Sequence, residues 1–193
     1  MLSKYGMAGC KPMSVPLDQI GKLSADAGDI LEDATMYRKI VVGSLIYMMI
    51  TKPDLIYIVG LESQFIQVPQ KPHLDGVWCT LCYVRSTVDY SLSYEAGVEL
   101  QVYGYTDADW AGSIPDRRST RRSTSGFIFS FGRAAITWSS KKQVTFALSS
   151  TEAEYRGAAM AACDVAWLCK LLGAMGLHVD RKVIIYCDNL SSI

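Results

Sequence analysis

Asp107 and Asp109 stand two residues apart in "YGYTDADWAGS", where an aromatic and apolar run gives way to two carboxylates, a tryptophan and a glycine. Side chains alternate across a strand, so both acids leave on the face that carries Tyr103 and Tyr105. Glu154 opens a stripe of Ala158, Ala161, Val165, Leu168 and Leu172 at helical spacings of three and four, the face a helix lays on a sheet. Asp188 follows the apolar run "VIIYC". With Asp107 ending the first strand, Glu154 starting the helix and Asp188 ending the last strand, all three meet at one rim, where open α/β sheets bind ligands. Carboxylates so placed repel unless cations sit among them, and oxygen ligands favour magnesium or manganese. Such a cluster suits two-metal cleavage of phosphodiesters. Each acid taken alone is more often structural, and Glu152 is read that way, because its spacing from Ser149 fits a helix-capping box.

The elements that must position these acids follow a change of composition along the chain. Residues 1–95 read as loops and then helices. "CKPMSVPLDQIGKLSADAGD" carries proline and glycine at loop density. Helices are expected over 35–51, ended by "TKPD" because proline restricts the residue before it, then over 54–66 and 73–85. Residues 96–193 read as a second domain. Strands are expected near 99–107, 125–132 and 134–148, the last with a break around 139–142. A helix over 150–172 closed by Gly173 follows, and "KVIIYCDN" then forms a nearly continuous apolar strand of the kind buried on both faces. The order β-β-β-α-β implies an α/β mixed sheet with helices against it.

Bulk properties exclude several classes. The 193 residues are 50% apolar and 20% charged, which is globular rather than disordered. The formal net charge is zero, so any nucleic-acid binding rests on local patches. One such patch is Arg117, Arg118, Arg121, Arg122, Arg133, Lys141 and Lys142, opposed in that stretch only by Asp116 and able to grip phosphates. "RRSTRRST" within it is a tandem repeat that we read as surplus hairpin loop. Six cysteines in a chain of this size, with no secretory signal at its start, read as intracellular reduced thiols. The C-x-x-C at Cys79 and Cys82 is a single pair inside a helical pattern, a poor zinc or redox motif. The run from Ile40 to Ile50 falls short of the ~20 residues that span a membrane, so no membrane partner is expected.

"GYTDADWAGS", "RRSTSGFIFSFGRAAITWSSKKQ", "ALSSTEAEY" and "CDN" resemble the ribonuclease H domain of copia-type retrotransposon Pol polyproteins. "CKPMSVPL", "MYRKIVVGSLIYMMITKPDLIYIVG" and "SQFIQVPQKPHLD" are similar to the end of the reverse transcriptase that precedes it. The resemblance covers nearly the whole chain. It implies a ribonuclease H-like fold after residue 96, preceded by a reverse transcriptase C-terminal segment. It implies hydrolysis of the RNA strand of an RNA–DNA hybrid with two Mg2+ or Mn2+ ions. In its motifs "YTD", "TEAEY" and "CDN" make Asp107, Glu154 and Asp188 the metal ligands, and Asp109 stays an outer-shell or structural acid.

The sequence departs from that pattern in three places. The polymerase's Tyr followed by paired aspartates is absent. The nuclease pattern stops at Ile193, without its remaining strand, helices and fourth carboxylate, so a truncated and impaired enzyme is expected. Trp78, Cys79, Cys82 and Cys169 replace basic residues, as in a decaying genomic copy. The competing expectation is a non-catalytic nucleic-acid-binding remnant. Either would act inside the cell, cytoplasmic or nuclear, with the rest of the polyprotein as partner.

Overall fold

The computed structural model describes residues 1–16, 23, 28–97, 101–110, 122–177, 179 and 182–188. They fall into two compact units, Met1–Ser91 and the described residues from Leu92 onward.

The first unit is helical. Helix α1 (Thr35–Ile40) passes into a π-helical stretch, Val41–Leu45, and then α2 (Ile46–Met48). Tyr37, Ile40, Val41 and Leu45 are the buried positions of this run, and the wider π turns keep them on one side. Lys52 is extended before Pro53, which starts a 3₁₀ turn, Pro53–Leu55, leading into α3 (Ile56–Ser63). Helix α4 (Lys71–Ser86) begins with a reciprocal cap: the Gln70 amide donates to His73 Nδ1 at 3.0 Å. His73 is fully buried and stacks on Phe65 with ring centroids 3.9 Å apart, so it is a satisfied core histidine rather than a ligand. Leu55, Ile58, Val59, Val77, Leu81 and Val84 complete this core.

The second unit is α/β. Strands β1 (Val102–Asp109), β2 (Thr124–Phe131), β3 (Ala134–Lys142) and β4 (Ile184–Cys187) form one mixed sheet in the order β3-β2-β1-β4. β1 and β2 run antiparallel with Asp107 opposite Gly126, and β2 and β3 are also antiparallel. β4 lies parallel to β1, with Thr106 opposite Cys187 as the last pair. Helix α5 (Ser150–Ala174) covers one sheet face, burying Ala161, Leu168 and Leu172 against Val102, Phe127 and Phe129. By length and composition alone α5 is long and apolar enough to cross a membrane. Here its buried stripe packs on the sheet, a use the core helix of a layered domain makes of the same composition.

Four expectations need correction. β1 extends two residues past Asp107, because the antiparallel ladder with β2 continues to Asp109. β3 ends at Lys142, six residues early. Gln143 turns inward there, its amide nitrogen bonding Ser125 Oγ and the Ala153 carbonyl at 2.8 Å each, and Val144 and Leu148 are left exposed. Helix α5 runs through Gly173. Gly176 closes it instead, at φ 80°, with the Leu177 amide returning to the Leu172 carbonyl at 2.9 Å. Ile184 and Tyr186 are roughly half exposed instead of buried on both faces, because with Tyr105 they lie on the sheet face opposite α5.

Candidate metal centre

Glu154 owes its place to the start of α5. Ser149 Oγ accepts the Glu152 amide at 3.1 Å, and Glu152 in turn accepts the Leu148 amide at 2.6 Å and pairs with Arg156 at 2.7 Å. That network holds the first turn, as the capping spacing implied. Three residues on, Gly157 lets the helix approach closely: a side chain there would stand 3.3 Å from Ser125 Oγ and 3.5 Å from Ala108 Cβ. Glu154 is thereby carried into the sheet, 5% exposed, with Oε1 accepting the Ala108 amide at 3.2 Å.

β4 supplies the other side. Cys187, its last residue, faces α5 and donates its thiol to Glu154 Oε2 at 3.5 Å. Asp188 follows, exposed, just past the strand. One ligand atom from each of Glu154, Cys187 and Asp188 lies within 4.8 Å of the other two. Asp107 is not in that group. It leaves the opposite face of β1 from Thr106 and Ala108 and is exposed, one position beyond the last residues that β1 pairs with β4. Its charge still reaches the site. Burial raises the Glu154 carboxyl above the usual carboxylate range, the Ala108 amide and the Cys187 thiol oppose that, and Asp107 and Asp188 push it higher.

Asp109, whose role the sequence left between two, is tied to the hairpin. Its Oδ1 accepts the amide of Thr124, the first residue of β2. Burial raises its pKa first, the Thr124 bonds lower it, and the Asp107 and Lys142 charges act in opposite directions.

Of the basic residues, Arg117, Arg118 and Arg121 lie outside the described residues, as does most of the tandem repeat. Arg122 reaches the Val144 carbonyl at 3.5 Å. Lys142 pairs with Thr124 across β2, on the sheet face of Asp109, and Lys141 is exposed. Arg133 meets Glu95 at 3.5 Å on the surface, where both side chains stay largely exposed.

Two residues escaped the sequence reading. Cys187 was grouped with the other thiols, although alternation along β4 sets it on the side opposite Tyr186, toward the helix. Glu62 is fully buried in the first unit, with Thr80 donating to Oε1 at 2.7 Å while Oε2 has no hydrogen-bond partner among the described residues. Its signal was an acid inside the otherwise apolar "LIYIVGLES".

The chain matches no protein-family model and no solved structure. It is 40% identical over 192 residues to the retrovirus-related Pol polyprotein from transposon RE1 of Arabidopsis thaliana, covering all of this chain. It is 38% identical over 199 residues to the Pol polyprotein from transposon TNT 1-94 of Nicotiana tabacum, again over its whole length. The chain belongs to the copia-type Pol polyprotein family. This Pol chain spans 13% of the RE1 polyprotein's length and 14% of that of TNT 1-94. A third relative, the secreted RxLR effector protein 161 of Plasmopara viticola, is 41% identical over 128 residues, which is 66% of this chain and 87% of that protein.

Proposed function

We propose that the second unit is a ribonuclease H-like domain, a metal-dependent hydrolase that cuts the RNA strand of an RNA–DNA hybrid during reverse transcription. The first unit is then the closing segment of the reverse transcriptase, and the rest of the polyprotein is its partner. One observation carries this reading: Glu154 and Asp188 converge beyond the paired end of β4, with Asp107 at the adjoining register position of β1. The donor set fits divalent cations. Carboxylate oxygens from a buried and an exposed side chain offer an anchored ligand and a solvent-facing one, and a cation there would offset the burial, and the lesser repulsion from Asp107 and Asp188, that raise Glu154.

Mg2+ or Mn2+ bound there would activate water and steady the leaving oxygen. The chain's own residues do the rest. Glu154, fixed by the Ala108 amide, sets the depth of the site. Asp107 and Asp188 hold the solvent side, where a phosphodiester arrives. Lys141, Lys142 and Arg122, with Arg117, Arg118 and Arg121, would grip the hybrid's phosphates through charge alone.

A second reading, a nucleic-acid binder that does not cut, is favoured by Asp107 standing outside the converging group. The test incubates the purified chain with labelled RNA–DNA hybrid and either metal, beside Asp107→Asn, Glu154→Gln and Asp188→Asn. Slow cleavage that needs metal and disappears in all three variants supports the hydrolase. Salt-sensitive binding of the hybrid with no cleavage under any metal overturns it in favour of the binder.

A further inference from the structure

Within the candidate centre, Cys187 is the residue that neither the carboxylate pattern nor the family resemblance assigns. Its sulfur lies 3.5 Å from Glu154 Oε2 and belongs with Asp188 to the single converging group found among the described residues. Around one tetrahedral zinc ion, with a sulfur bond of about 2.3 Å and an oxygen bond of about 2.1 Å, those two donors would stand roughly 3.6 Å apart. The structure therefore already holds sulfur and oxygen at ligand spacing. A thiolate also changes which cations the site prefers. Carboxylates alone suit magnesium and manganese, whereas sulfur selects the softer zinc and its surrogates.

We propose that Cys187, Glu154 and Asp188 form a binding site for a thiophilic divalent cation, zinc or cadmium, which displaces magnesium from the shared carboxylates. On binding, the Cys187 thiol releases its proton to solvent, and Sγ, Glu154 Oε2 and an Asp188 oxygen hold the cation. Water or a substrate oxygen completes the coordination. The inference shares Glu154 and Asp188 with the proposed hydrolase and makes zinc its inhibitor, but the site itself exists whether or not a hybrid is cut.

The full-length reduced chain is titrated with Cd2+ and the ultraviolet thiolate-to-metal charge-transfer absorption is followed, with Zn2+ as competitor. The five other cysteines contribute, so the readout is the difference from Cys187→Ser, with Cys163→Ser as an exposed control. Expected is the loss of one thiolate's absorption in Cys187→Ser, a fall in zinc affinity of about tenfold or more, and magnesium affinity within about twofold of the parent. Asp188→Asn, an exposed change that the fold tolerates, should also weaken zinc. A Cys187→Ser protein that binds zinc as tightly as the parent, with an unchanged cadmium spectrum, overturns the proposal. That result leaves a hybrid-cutting magnesium enzyme untouched. A Cys187-dependent cadmium band in a protein that never cuts hybrids upholds the thiophilic site and removes the hydrolase.

Discussion

The amide proton of Ala108 is taken by Glu154 Oε1 at 3.2 Å, so a helix side chain completes the backbone bonding of a strand. Among the described residues β1 pairs with β4 as far as Thr106, and Ala108 lies two residues further along. The same carboxylate that would hold a cation thus also satisfies a strand's backbone. Glu154→Ala should leave a buried donor unsatisfied and cost about 1–3 kcal/mol. Glu154→Gln keeps an accepting oxygen and sheds the repulsion from Asp107 and Asp188, so in chelator-treated protein it should match or exceed the parent. Urea midpoints of the two variants decide this, and equal losses would refute it.

Ser149→Ala should destabilise the second unit by about 0.5–2 kcal/mol, the usual cost of removing a helix cap. Because the capped turn carries Glu154, divalent-metal affinity should fall in the same variant. Isothermal titration with Mn2+ beside a thermal melt tests the coupling, and an unchanged affinity at reduced stability would break it.

Asp109→Ala should loosen the start of β2, since the Thr124 amide loses its acceptor, at a cost of about 1 kcal/mol. Asp109→Asn, which still accepts, should recover most of that. If Asp109 were instead a metal ligand, both changes would lower Mn2+ affinity alike, and the same titration distinguishes the two roles.

Burial lifts the Glu62 carboxyl from 4.5 to about 7, only partly offset by the Thr80 hydroxyl. Below 4.5 the folded and unfolded chains both hold the proton, so the group leaves stability unchanged. Between 4.5 and 7 the folded chain keeps a proton that the unfolded chain has released, so stability falls as pH rises through that window. The full loss, roughly 3 kcal/mol, is reached above 7. Glu62→Gln should therefore be markedly more stable than the parent at pH 8 and nearly equal to it at pH 4.5. A parent whose helical unit melts at the same temperature across this range contradicts the assignment.

The helices and the order of elements along the chain were legible because their signals are local. Tyr37, Ile40, Val41 and Leu45 share a face at helical spacings, and the alternation in "TSGFIFSF" marks β2 plainly. Glu154 was legible too, since its place at the head of an apolar stripe settled which way it points. The errors came where distant groups decide. Gln143 ends β3 by bonding Ser125 and Ala153, partners that no window of sequence around it contains. Exposed Ile184 and Tyr186 follow from lying on the sheet face that α5 does not cover, which an apolar run does not encode. Asp107 was placed correctly on its strand face, yet the helix brings Glu154 to the other face, and Cys187 rather than Asp107 became its immediate neighbour.

The two clusters of buried side chains have no member in common: one is drawn from residues up to Val84, the other from Val102 onward. Each unit thus has a core of its own to lose on unfolding. A substitution at Ser149 acts through the second core and one at Glu62 through the first, so each variant's melt reports on the core it touches.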